Sequence, residues 1–159
     1  MMLEPAKPLI EQADPRLPTV TALIAELDAY MTALYPAESN HLLDIDALAA
    51  PDIRFFAARF EDDYLGCGAI KIHEGAFTEV KRIFVSPKAR GLGVGKYIIA
   101  ALEAETRKLG LSLMRLETGI YQPEALALFE RAGFTRCGPF ADYPTDDPFS
   151  VFMEKRITL

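Results

Sequence analysis

Apolar residues recur at helical spacing through Val20, Leu23, Ile24, Leu27, Met31 and Leu34. The pattern predicts an amphipathic helix that starts at Asp14 and Pro15 and ends near Tyr35 and Pro36. Ahead of it, Ile10 begins a short segment with the character of an edge strand. The run PAESNHLLDID, from Pro36 to Asp46, mixes polar residues with Leu42 and Leu43 and reads as an irregular link into a short second helix ended by Pro51. Ile53 to Phe60 and Tyr64 to His73 are strand-like runs, joined across Glu61, Asp62 and Asp63 as an antiparallel hairpin. Glu74 and Gly75 permit another reversal, which makes Phe77 to Val85 the next strand.

That strand leads into VKRIFVSPKARGLGVG, Val80 to Gly95, where an apolar run stops at Pro87 and gives way to an arginine and three closely spaced glycines. Gly91, Gly93 and Gly95 free the backbone of side-chain bulk, so successive N–H groups can converge on an anion while the following helix adds the positive end of its dipole. This is the chemistry of a phosphate cradle. The P-loop pattern is excluded, because it needs glycine where Arg90 stands and Ser or Thr where Tyr97 stands; the dinucleotide fingerprint needs glycine where Lys96 stands. Val94 to Leu109 then reads as a crossover helix with Gly110 behind it. Leu111 to Glu117 is a strand, Pro123 to Ala132 a helix stopped by Gly133, and Phe134 to Phe140 with Val151 to Ile157 a last antiparallel pair. The unit from 80 to 117 sets two parallel strands side by side with a right-handed crossover. The fold class is α/β (α+β), with a mixed central sheet of about six to seven strands and helices on both faces.

Composition narrows the function. A chain of 159 residues, 50% apolar and 25% charged, fits one domain spanning 1–159 with an adequate core. A net charge of −6 argues against general affinity for nucleic acid. Lys81, Arg82, Lys88 and Arg90 cluster around the cradle and point to a small anionic ligand. Cys67 and Cys137 form no metal or disulfide pattern and read as small core fillers in a reducing cytosol, so no metal is expected. The amino terminus lacks a positively charged start with an apolar run, and no stretch of 18 apolar residues occurs, so the expectation is a cytoplasmic protein without a membrane partner.

The spacing of Arg90, Gly93 and Gly95 after a strand resembles the arginine-x-x-glycine-x-glycine run of the GCN5-related N-acetyltransferases. Gln122 to Phe134, QPEALALFERAGF, is similar to that family's late helix and its closing Gly-Phe. The resemblance covers residues 53 to 157 and is strongest from 80 to 134. It implies acetyl-CoA as cosubstrate, with its pyrophosphate held by Arg90, Gly91, Leu92, Gly93, Val94, Gly95 and Lys96. It also places backbone N–H groups of Ile83, Phe84 and Val85 against the thioester and upper pantetheine, adds Gln122 and Phe129 to the cosubstrate site, and makes the two parallel strands splay so that the pantetheine arm lies in the gap. The family often pairs through sheet edges or carboxy-terminal strands, which raises the possibility of a homodimer.

Acetyl transfer to an amine needs a neutral nucleophile, a stabilised oxyanion and a protonated leaving thiolate. Glu79, Glu117 and His41 are the candidate bases, and each has an equally ordinary reading as a solvated or salt-bridged residue. The family's usual acid is a tyrosine at the position of Phe129, which cannot donate a proton; Tyr121, Tyr143, a water or no dedicated acid remain. Arg82 alternates with Lys81 along the strand, so one of them faces the helix-covered side. There Arg82 either pairs with an internal group such as Glu117 or awaits an acceptor carboxylate. Arg82, His41, Glu117 and Tyr143 are thus the candidate acceptor-binding residues. The leading expectation is an N-acetyltransferase acting on a small amine, with a carboxylate on that amine as one option. Acetylation of a protein lysine or amino terminus, a non-catalytic acyl-CoA sensor and a nucleotide-binding module are the alternatives.

Overall fold

The computed structural model describes residues 7–39 and 44–159; the candidate base His41 lies outside the described residues. Among the described residues seven strands form one sheet in the order β1-β2-β3-β4-β5-β7-β6. They are β1 Leu9–Gln12, β2 Ile53–Phe60, β3 Asp63–His73, β4 Phe77–Val85, β5 Leu113–Gly119, β6 Thr135–Cys137 and β7 Ser150–Arg156. The helices are α1 Pro18–Leu34, α2 Ile45–Leu48, α3 Val94–Lys108 and α4 Pro123–Arg131. Only β4 and β5 pair in parallel; the other neighbours are antiparallel.

The apolar faces read from the sequence pack as their periodicity requires. Ile98, Ile99 and Leu102 of α3 and Phe129 of α4 bury against Ile70, Val80, Met114, Leu116 and Met153 on one face of the sheet. Val20, Leu23 and Ile24 of α1 cover Phe55, Ala57, Cys67 and Ala69 on the other. Leu48 of α2 joins the same cluster. The segment from 138 to 149 crosses the rest of that face, and Phe140 meets Phe77 and Phe152 there.

The boundaries of β5, α1 and β6 move, β5 running Leu113–Gly119 instead of Leu111 to Glu117. The helix α1 begins at Pro18 instead of Asp14, because Asp14 serves a preceding turn: its carboxylate accepts the N–H of Arg16 at 2.9 Å, and a second proline takes the first helical position. Strand β6 stops at Cys137 instead of reaching Phe140, since Gly138 favours no extended geometry and Pro139 has no N–H for the ladder.

Two features of β4 shape the site. Its parallel ladder with β5 runs only from Thr78↔Met114 to Val80↔Leu116, although β4 continues to Val85 and β5 to Gly119. Beyond Val80 the strands part, as expected of two splayed parallel strands. The second feature is a bulge against β3, where the pairing passes from Ala69↔Lys81 to Cys67↔Phe84, so that Arg82 and Ile83 oppose Gly68 alone. Arg82 takes φ +56 to make it.

Candidate active site

The gap between β4 and β5 opens into two cavities. The larger, of about 740 Å³, is lined by Ile83, Phe84 and Val85 of β4, by Arg90, Gly91, Gly93, Val94, Gly95 and Lys96 of the turn and helix start, and by Gln122, Ala125 and Leu128 along α4. Gly91 and Gly93 sit at φ +82 and +76, a left-handed geometry that turns the chain sharply into α3. The first N–H groups of α3 have no intrahelical acceptor, which is the basis of an anion site at its start. Leu92 differs from its neighbours: its N–H bonds to Ala89 O at 3.3 Å, and its exposed side chain is absent from the cavity wall. The volume of the cavity and the glycine turn in its wall suit a long arm with a diphosphate.

The smaller cavity, about 80 Å³, lies between α1 and the diverging strands, with Lys81, Arg82, Glu117, Phe129, Tyr143 and Phe149 in its wall. Leu27, Ile83, Gln122 and Ala125 line both cavities, so they meet there. The bulge explains why Lys81 and Arg82 both reach this space; the expected alternation breaks at the extra residue. Arg82 pairs with the half-exposed carboxylate of Asp28 on α1, a partner the sequence reading did not name. Glu117 takes a hydrogen bond from the Ser150 hydroxyl at 2.7 Å across the β5–β7 pair.

Glu79 and Tyr143 come together in a network the sequence did not announce. The Tyr143 hydroxyl donates to Glu79 Oε2 at 2.5 Å, the Lys81 ammonium lies 3.0 Å from the same oxygen and 2.5 Å from the Tyr143 hydroxyl, and His73 Nε2 lies 2.9 Å from Glu79 Oε1. Burial pushes the Glu79 carboxyl up, but the Lys81 charge and the hydrogen bonds from Tyr143, His73 and Lys81 outweigh it and hold it below the usual carboxylate value. Burial, then the charge of Glu79 and the hydrogen bond to it, with Glu117 adding to them, push the Tyr143 phenol far above its ordinary value. The pair therefore stands as carboxylate and neutral phenol. No group of three or more His, Cys, Asp or Glu side chains able to hold a metal occurs among the described residues. No helix among them is long and apolar enough to cross a membrane.

Residues 20–134 match the model of the Acetyltransferase (GNAT) family. The chain belongs to that family. GNAT acetyltransferases draw their acyl group from coenzyme A thioesters, so acetyl-CoA is the expected cosubstrate of this chain. The GNAT chain is 51% identical over 147 residues to the IAA acetyltransferase of Azospirillum brasilense, covering 92% of this chain and 95% of that one. A crystal structure of a candidate acyl-CoA N-acyltransferase from Klebsiella pneumoniae shares 37% identity and superposes with a TM-score of 0.80, covering 95% of this chain and 98% of that one. The fold is also that of the PaiA N-acetyltransferase of Thermoplasma acidophilum, solved in complex with coenzyme A, at 18% identity and a TM-score of 0.73, covering 95% and 99% of the two chains. The protein is an acyltransferase.

Proposed function

We propose that residues 1–159 form a single cytoplasmic N-acetyltransferase unit that transfers the acetyl group of acetyl-CoA to the amine of a small molecule by direct attack in a ternary complex. The observation that carries this reading is the shared wall of Leu27, Ile83, Gln122 and Ala125, through which an arm entering the large cavity meets an amine in the small one. Acetyl-CoA supplies the activated acetyl group as a thioester. Arg90 and the turn from Gly91 to Lys96 hold its diphosphate, with Leu92 contributing to the turn alone, and β4 from Ile83 to Val85, which has no ladder to β5, presents that edge to the arm. Phe129, which the resemblance assigns to the cosubstrate, lines only the small cavity, and Gln122 lines both.

Glu117 is the base in this proposal. It lines the acceptor cavity, its orientation is fixed by Ser150, and it takes a proton from the incoming ammonium directly or through water. Glu79, whose oxygens are engaged by His73, Lys81 and Tyr143, holds Tyr143 and Lys81 in place. Among the described residues Lys81 and Arg82 are matched by Glu79 and Asp28, and Glu117 adds a further negative charge; this balance suits an ammonium and asks for no carboxylate on the acceptor. The small volume, with Tyr143 and Phe149 over it, supports a small amine in preference to a protein lysine or amino terminus.

Free-thiol release from acetyl-CoA in the presence of a panel of small amines tests the reading. Turnover with at least one amine is expected. Coenzyme A binding without thiol release from any amine identifies a sensor, and absence of coenzyme A binding ends the cosubstrate assignment.

A further inference from the structure

The hydrogen bonds around Gln122 have only one permissible direction. A backbone N–H can only donate, so the side-chain atom that the Gly119 N–H meets at 3.1 Å is the amide oxygen. The Tyr35 hydroxyl accepts the N–H of Tyr121 at 3.0 Å and therefore turns its own proton to that same Gln122 oxygen, 3.2 Å away. Turning the amide over would set its N–H2 against the Gly119 donor, and two donors would face each other. The oxygen thus carries two hydrogen bonds, and the N–H2 end, which has no partner among the described residues, is the end left to the junction of the two cavities. The donors run in one sense, Tyr121 to Tyr35 to Gln122, an arrangement in which each bond polarises the next.

The surroundings are built around this clasp. An ideal Cβ on Gly119 would lie 1.8 Å from the Tyr35 hydroxyl, so only glycine at that position admits the approach. The Tyr35 ring is buried, stacked on Tyr121 with centroids 5.7 Å apart and edge-on to Phe149 at 6.2 Å. Burial also raises its pKa, which keeps the hydroxyl protonated as the donor the arrangement needs.

We propose that Tyr35 is a positioning residue: it locks the Gln122 side chain so that the amide N–H2 points into the junction and donates to a carbonyl oxygen on the arm of the cosubstrate. Tyr35 lines only the acceptor cavity, yet through Gln122 it acts on the occupant of the other. The inference rests on the cosubstrate reading given above.

Calorimetric titration with coenzyme A, whose arm carries amide carbonyls, tests it on the wild type, Tyr35→Phe, Gln122→Ala, the double variant and Gln122→Glu, with a melting temperature for each. Tyr35→Phe keeps the ring and is expected to weaken binding by about three- to tenfold, the worth of one ordinary hydrogen bond. In the Gln122→Ala background the same change is expected to cost less than about twofold, because the side chain it orients is gone. Gln122→Glu retains acceptors for Gly119 and Tyr35 but offers an oxygen to the junction; weaker binding at an unchanged melting temperature is expected. A Tyr35→Phe loss that persists undiminished without Gln122, or wild-type affinity in Gln122→Glu, overturns the proposal while leaving the cosubstrate reading intact. A wild type that does not bind coenzyme A overturns both.

Discussion

Glu79 is buried to 2% exposure and would be an expensive place for a charge if His73, Lys81 and Tyr143 did not all reach its two oxygens. Its carboxyl is held below the ordinary value of 4.5, so the stability it contributes is fully present above that pH and is lost as the pH falls through the lower folded value. Replacement by Gln is expected to lower the melting temperature at pH 7 and to flatten its decline below about pH 4.5, measured by melts across an acid series. Glu117 should behave in the opposite way: Glu117→Gln is expected to reduce kcat by about 10²- to 10⁴-fold with little change in coenzyme A affinity. Comparable loss of both would reassign the residue to the cosubstrate site. The glycine turn and Glu117 were legible because a motif and a strand end announce them. The Glu79 network was not, because Tyr143 arrives from a loop more than sixty residues further on. That Lys81 and Arg82 both line the small cavity was not legible, because strand alternation assumes an unbroken ladder and a bulge leaves no mark in the residue types.

At the scale of elements, every strand and helix announced by periodicity is present, and the errors fall at ends. A carboxylate and two prolines competed to start α1, and the residues nearest the chain turn lost the helix to a preceding loop. The start of α3 was marked correctly because Gly93 at φ +76 is its cap, a conformation that side chains resist. Gly93→Val is expected to cost about 1–2 kcal/mol in stability from left-handed strain and to remove measurable coenzyme A binding by crowding the turn. Urea unfolding and calorimetry separate those two effects. Retained affinity in a folded variant would dismiss the turn as the anion site.

Across the whole molecule, the two layers of helix leave Cys67 in the centre of the sheet with its thiol pushed up to about 12 by burial, while the half-buried Cys137 rises to about 11. Cys67 is therefore expected to resist thiol reagents at pH 8 in the native protein and to react only at the rate of global unfolding; Cys137 should label first. Mass spectrometry of the labelled protein checks the order, and rapid modification of Cys67 would show that the α1 layer opens independently. The same view gives weight to the short ladder between β4 and β5. Four strands on one side and three on the other are stitched by a seam of three residue pairs, Thr78↔Met114 to Val80↔Leu116, so the sheet is hinged like a book along its spine. A guest laid in that opening acts as a splint, and amide exchange at Ile83, Phe84, Val85 and Thr118 should slow on adding coenzyme A more than it does anywhere in the outer pages.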